Sequence, residues 1–254
     1  MLRGALYIVA TPIGNLGDMT PRAIEVLHAV EFAYCEDTRV TRRLFSHFEI
    51  DTQLRRFDDK TGEQKIPEIL SLLGCGKTLA LTSDAGTPVI SDPGMPLVAA
   101  VQDAGFEVVA IPGTSAVTAA LSISGLPAHA YYFGGFLPRK KGKVEGLLQS
   151  LDVLNATLIF FESPHRVVST LRHLAELYPD RQAAVARELT KRHEELVRAS
   201  LQELSTEFAQ RKESVDTEKL KSLKGEFVIL IAPLKTLADG TAGRRVHVDK
   251  YKQR

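Results

Sequence analysis

The sequence predicts an α/β fold of two α/β domains with a ligand cleft between them. Short apolar runs such as Leu6–Ala10, Phe32–Cys35 and Thr78–Leu81 have the length of buried strands. Amphipathic helical stripes separate them, which implies a mostly parallel sheet with helices on both faces. The turns after these runs are dense in glycine, proline and small polar residues. The fullest is Thr82–Gly94, with two glycines, two prolines, two aspartates and two serines in thirteen residues. A loop of that composition at the carboxyl end of a strand is where open α/β folds hold ligands.

Leu6–Ala10 enters the turn Thr11-Pro12-Ile13-Gly14-Asn15. Thr20-Pro21 reads as an N-cap and first helical residue, with Ile24, Leu27 and Val30 at helical spacing. Phe32–Cys35 ends in Glu36-Asp37-Thr38-Arg39, and a helix continues through Leu44 and Phe48. Ile66, Ile69, Leu70 and Leu73 form the next stripe, closed by Gly74 and Gly76. Strand Thr78–Leu81, helix Met95–Ala104 and strand Val108–Ile111 follow. Pro112-Gly113-Thr114-Ser115-Ala116 then turns into a small-residue helix ending at Ser124.

Gly125-Leu126-Pro127 breaks the chain near the joint of the two halves, and the domains are placed at 1–118 and 119–234. In the second, strands are expected at Tyr131–Phe136, Thr157–Phe161, Ala183–Ala186 and Phe227–Ala232. Helices are expected at Lys143–Leu151, Arg166–Leu177 and Leu201–Arg211. Residues 235–254 carry six Lys/Arg against two Asp and read as a basic tail.

Composition narrows the function. Net charge is +1, so the chain has no global nucleic-acid signature. No apolar run is long enough to span a bilayer and no leader opens the chain, so a cytoplasmic protein without a membrane partner is expected. Cys35 and Cys75 read as reduced and structural, and cysteine and histidine never cluster at ligand spacing, so no metal is expected. There is no G-x-G-x-x-G after a strand. Gly76-Lys77-Thr78 follows a helix and precedes a strand, the reverse of a phosphate-binding loop.

Four loops, Thr11–Asn15, Glu36–Arg39, Ser83–Gly94 and Pro112–Ala116, fall at one edge of a parallel sheet. Glu162-Ser163-Pro164-His165-Arg166 and Arg187-Glu188-Leu189-Thr190-Lys191 come from the second half. Each alone is explained by turn chemistry. Their joint occurrence points to a cleft.

The order of Leu6–Leu16, Glu36–Arg39, Ser83–Pro88, Ser91–Gly94, Pro112–Ala116 and Phe161–Arg166 resembles the tetrapyrrole methylase superfamily, and within it the enzymes that methylate small-subunit ribosomal RNA. The likeness covers roughly residues 4–233. It implies a cleft for S-adenosylmethionine, a homodimer, and methylation of the ribose 2′-hydroxyl of a cytidine in the decoding region of 16S RNA, on naked RNA or on the small subunit. Carried over by position, Pro12, Ile13 and Gly14 would lie under the methyl donor. Asp84, Gly86, Thr87 and Ile90 match the cofactor loop, and Thr114, Ser115 and Ala116 the turn on its other side. Phe161 and Leu189 would supply second-domain walls, with Glu226 and Phe227 near the adenine. Longer relatives carry a small additional region beyond the position of Pro233.

Methyl transfer to a hydroxyl is chiefly a positioning problem, and a general base would add about 10²–10⁴-fold. Asp84, Glu162, His165 and Lys191 are candidates, of which Asp84 suits a cofactor contact better than base catalysis, and none is assigned. Arg39, Arg42 and Arg43, and Arg139, Lys140 and Lys141 with Lys143, are two clusters able to contact RNA phosphates. The competing readings are a methyltransferase of the same fold acting on a tetrapyrrole ring and a non-catalytic RNA-binding ribosome-assembly factor.

Overall fold

A computed structural model describes residues 4–234 and the backbone of 246–249. The chain divides between Ser115 and Ala116 into two compact units. In the first unit, strands β1 (Ala5–Val9), β2 (Phe32–Cys35), β3 (Gln53–Arg56), β4 (Leu79–Thr82) and β5 (Glu107–Ile111) form a sheet of order β3-β2-β4-β1-β5. Every pairing in it is parallel. Helices α1 (Pro21–Ala29), α2 (Thr38–His47), α3 (Gly62–Gly74) and α4 (Met95–Asp103) connect the strands. Alternation along the strands sets the two faces. Ala5, Tyr7 and Val9 point into a core with Ala23 and Leu27 of α1 and Phe45 of α2. Leu6, Leu79 and Leu81 point into the opposite core with Ile69 and Leu73 of α3 and Leu97 and Val101 of α4.

Strand β3 is absent from the sequence expectation because its residues, Gln-Leu-Arg-Arg, show no apolar run. As an edge strand it buries little, and Arg55 lies over the Phe32 ring, 3.5 Å from its centroid.

The second unit opens with α5 (Ala116–Ser124), whose small side chains pack on β8, β9 and β10. Its strands are β6 (Tyr131–Phe136), β7 (Thr157–Glu162), β8 (Gln182–Arg187), β9 (Glu195–Ser200), β10 (Phe227–Ile231) and β11 (Val246–Asp249), in the order β11-β9-β8-β10-β7-β6. Only β6 and β7 pair in parallel; every other neighbour is antiparallel. The sheet is therefore mixed, because β8 turns directly into β9 with no crossover helix between them. Helices α6 (Lys141–Leu151), α7 (Val167–Leu177) and α8 (Leu201–Glu213) supply Leu148, Leu171, Leu174, Leu204 and Phe208 to a core with Leu158, Phe160, Val185, Phe227 and Ile229. The short α9 (Thr217–Lys221) follows α8.

Strand β9 escapes sequence reading because Glu195 and Arg198 interrupt its apolar pattern. Glu195 is nevertheless buried, accepting hydrogen bonds from Arg211 Nη2 at 2.8 Å, Arg211 Nη1 at 3.0 Å and Arg187 Nε at 3.2 Å. Within the basic stretch 235–254, Val246–Asp249 form a strand paired with β9. The remainder of 235–254 lies outside the described residues. No helix among the described residues is long and apolar enough to cross a membrane.

Candidate active site

Because the first sheet is parallel, the loops after β1, β2, β4 and β5 emerge at its carboxyl edge. The chain leaves β2 toward β3 on one side and β4 toward β5 on the other. Such a reversal between neighbouring strands opens the crevice where α/β sheets bind ligands.

Three of these loops are tied together by backbone pairing and threonine hydroxyls. Thr11 N donates to Gly86 O at 2.9 Å, and Gly86 N donates to Thr11 O at 3.0 Å. Thr11 Oγ1 donates to Ser83 O at 3.0 Å. Thr114 Oγ1 donates to Thr11 O, and Thr87 Oγ1 donates to Thr114 O at 3.0 Å. The structure thus brings together the expected residues Pro12, Ile13, Gly14, Gly86, Thr87 and Thr114, with Ser115 and Ala116 next in the chain. Gly94 sits at φ +136°, and a Cβ there would fall 2.7 Å from Leu81 Cδ2, so only glycine lets the long loop turn back over β4 into α4. Val89 and Ser91 hold φ of 73° and 68°. Such strain, about 1–3 kcal/mol per residue, is characteristic of ligand-holding segments. Ile90 on the same loop is 46% exposed, and Leu16 and Met95 are exposed as well.

The electrostatics of this edge's glycine loops are one-sided. Loops 11–15, 83–94 and 112–116 contain no lysine or arginine. Asp84 Oδ1 accepts from Asp37 N at 3.3 Å, and Asp92 accepts from the Ser83 hydroxyl. Burial raises the pKa values of Glu36, Asp84 and Asp92, and repulsion from neighbouring carboxylates raises them further. Among the described residues no group of three or more His, Cys, Asp and Glu side chains has the arrangement of a metal site. The edge instead favours an organic cation and disfavours phosphate.

Asp37 caps α2, accepting from Arg39 N at 2.9 Å, and grips the Arg39 guanidinium at 3.0 Å (Nε) and 2.6 Å (Nη2). Arg39 remains 87% exposed, and Arg42 and Arg43 are exposed one turn along the helix. In the other unit, Arg139, Lys140 and Lys141 are exposed before and at the start of α6.

The second-unit candidates are more committed than the sequence suggests. Glu162 is buried; its carboxylate accepts from Ser163 N at 2.8 Å and Thr170 Oγ1 at 2.7 Å, and pairs with Arg166 at 3.2 Å. With its oxygens so occupied, it suits positioning better than proton removal. Lys191 Nζ donates to Glu188 and Glu226, each at 2.9 Å. Burial alone would lower its pKa, but the two carboxylates outweigh it and raise the value, so Lys191 stays an ammonium and is no base. His165 is exposed. Glu188 and Thr190, flanking Leu189, hold φ of 50° and 65°, and the Thr190 hydroxyl is buried with no hydrogen-bond partner. The Phe227 ring lies in the core, edge-on to Phe208 with centroids 6.3 Å apart, while Phe161 is half-buried. Sequence reading missed the carboxylate group at the β2–β4 crevice as a unit. The two aspartates of Ser83–Asp92 and the Glu36-Asp37 pair carried its signal.

The family model of the tetrapyrrole (corrin/porphyrin) methylases matches residues 5–205. The chain belongs to this family. Curated relatives of this methylase named ribosomal RNA small subunit methyltransferase I include one from Mesorhizobium japonicum, 44% identical over 95% of the chain and 79% of the relative. Another, from Thermotoga maritima, is 46% identical over 82% of the chain and 94% of the relative. Among solved structures, uroporphyrin-III-C-methyltransferase from Thermus thermophilus superposes with a TM-score of 0.60 at 18% identity, over 95% of the methylase and all of that chain, which shows the shared fold. This methylase is a methyltransferase that uses S-adenosylmethionine. Its carboxyl-edge knot fits that donor: glycine backbone for close approach, exposed apolar side chains, and carboxylates suited to a sulfonium.

Proposed function

We propose that this methylase transfers a methyl group from S-adenosylmethionine to the ribose 2′-hydroxyl of a cytidine in the decoding region of 16S ribosomal RNA, as a cytoplasmic homodimer. The observation that carries the reading is the separation of charge. The glycine loops of the carboxyl edge are acidic and free of cations, while Arg39 in the turn after β2, Arg42 and Arg43 beyond it on α2, and Arg139, Lys140 and Lys141 of the second unit are exposed. The acidic edge suits a cationic donor and the basic clusters suit a polyanionic acceptor. A tetrapyrrole acceptor gives the cationic clusters less to do, and the names of the relatives point the same way.

In this reading Pro12, Ile13, Gly14, Gly86, Thr87, Ile90, Thr114, Ser115 and Ala116 hold the donor, with Asp84 as its anionic neighbour. The family resemblance adds Phe161, Leu189, Glu226 and Phe227 to the donor's contacts. The donor supplies a methyl group already activated on sulfur. The chain's own task is to align the acceptor oxygen, and such positioning can contribute about 7–11 kcal/mol to the barrier.

Calorimetric titration with S-adenosylmethionine between pH 8 and pH 4.5 tests the donor site. Ionised Asp84, Asp92 and Glu36 favour the cation, and protonation removes that attraction. Because their pKa values are raised, affinity starts to fall above the ordinary carboxylate range of about 4. Asp84→Asn weakens binding at pH 8 and flattens the profile. A wild-type affinity that is constant across this range means these carboxylates do not face the donor.

A further inference from the structure

We propose that Phe136 and the Arg139–Lys141 turn form a docking surface for single-stranded RNA, in which the ring stacks on an unpaired base and the cations hold flanking phosphates. We further assign Glu162 and Arg166 as the pair that positions this surface. The inference rests on the RNA-methylation reading and adds to it the form of nucleic acid recognised and the segment that reads it.

Strand β6 is the outer strand of its sheet, and its register with β7 shifts between Phe133 and Phe136. Two glycines build the shift. A Cβ on Gly134 would fall 2.4 Å from Phe160 Cε1, and Gly135 adopts φ 62°. Bulges of this kind re-aim a side chain. The one re-aimed here is Phe136, which is 58% exposed and lies edge-to-face with Phe161, at 5.7 Å between centroids. Burial does not account for an aromatic ring displayed in this way.

Immediately after it, Leu137 anchors in the core and three exposed cations follow. Arg139 and Lys140 have no ion pair among the described residues, while Lys141 pairs with the exposed Glu176 at 3.0 Å. The first turn of α6 holds no acidic residue, so its helix dipole adds to the positive potential.

The turn is held from beneath. Arg166 Nη2 donates to Leu137 O at 2.9 Å and Pro138 O at 3.1 Å. Glu162, itself fixed by Ser163 and Thr170, orients that guanidinium. A surface held in place before binding loses little entropy on association. A ring beside cations matches unpaired RNA, whose bases present open faces for stacking; in an A-form duplex those faces are covered.

The test measures fluorescence anisotropy of a labelled 12-nucleotide single-stranded RNA, with a duplex of the same sequence as competitor. Co-sedimentation with small ribosomal subunits and sedimentation velocity of the protein alone complete it. Wild type is expected to prefer the single strand. Phe136→Leu, which keeps apolar bulk at an exposed site, weakens single-strand binding by about ten-fold or more without changing its salt dependence. Arg139→Gln with Lys140→Gln lowers the salt slope. Arg166→Lys keeps the charge but loses the fork, and it raises KM for RNA with kcat and donor affinity unchanged.

Equal binding by Phe136→Leu and wild type, while the cation variants still weaken it, overturns the stacking surface and leaves the RNA reading standing. Wild type that binds neither the oligonucleotide nor the subunit overturns both. Dissociation of a dimer by Phe136→Leu assigns the face to a second copy of the chain and likewise overturns the proposal.

Discussion

Replacing Gly86 with valine removes donor binding while leaving both cores folded. Gly86 sits at φ +89°, and its N–H and C=O both bond to Thr11. A Cβ there would lie 3.3 Å from Ile13 Cγ2 and 3.7 Å from Thr114 O. Valine's branches would therefore push against the β1 and β5 turns from the loop that ties them. Strain at a positive φ amounts to about 1–3 kcal/mol, and the crowding opens the knot further. Among buried side chains the clash reaches Ile13 and neither of the two sheet cores, so the melting temperature is expected to drop by only about 2–12 °C. Donor affinity measured by calorimetry is expected to fall at least about 100-fold, since backbone approach is what the turn provides. Wild-type affinity in a folded Gly86→Val protein would remove the knot from the donor site.

Glu195→Ala is expected to destabilise the second unit by up to about 3–5 kcal/mol, because it removes the carboxylate that Arg187 and the buried Arg211 share and leaves Arg211 paired with Glu207. Arg211 is almost wholly buried and meets Glu195 through both terminal nitrogens, with Glu207 and Ser222 as its other partners. Arg187 loses the same carboxylate. Replacing Glu195 and Arg211 together with methionine is expected to recover part of the loss, since a paired burial is cheaper to remove whole than by halves. Urea denaturation of the single and double variants reads both quantities. A single-variant loss below about 1 kcal/mol would place Glu195 in a solvated environment instead.

These residues also show what the sequence makes legible. Phe32–Cys35 and Tyr131–Phe136 are readable as strands because nothing polar interrupts them. Glu195–Ser200 is unreadable because the partner that makes its glutamate burial tolerable lies sixteen residues away on α8. Gln53–Arg56 is unreadable because an edge strand needs little apolar surface. The antiparallel half of the second sheet has no periodic signature, since strand direction is set by connections rather than by side-chain alternation.

The site divides in the same way. Its turns are visible because glycine, proline and small hydroxyl residues are needed for the backbone itself. The roles of its charged residues are hidden. Lys191 could be weighed as a base until the fold brought Glu226, thirty-five residues distant, against it. Glu162 could be weighed as one until Ser163, Thr170 and Arg166 were seen to occupy its carboxylate.

Methyl transfer to a ribose hydroxyl of small-subunit RNA leaves a chemical mark that can be read directly. Its most direct test incubates the protein with methyl-labelled S-adenosylmethionine and unmodified small ribosomal subunits, then digests the RNA in alkali. A ribose 2′-O-methyl group blocks cleavage at its own nucleotide. Label is expected in one alkali-resistant dinucleotide that begins with cytidine. Label recovered in a mononucleotide, which would place the methyl on a base, or no transfer by a protein that binds the donor, would contradict it.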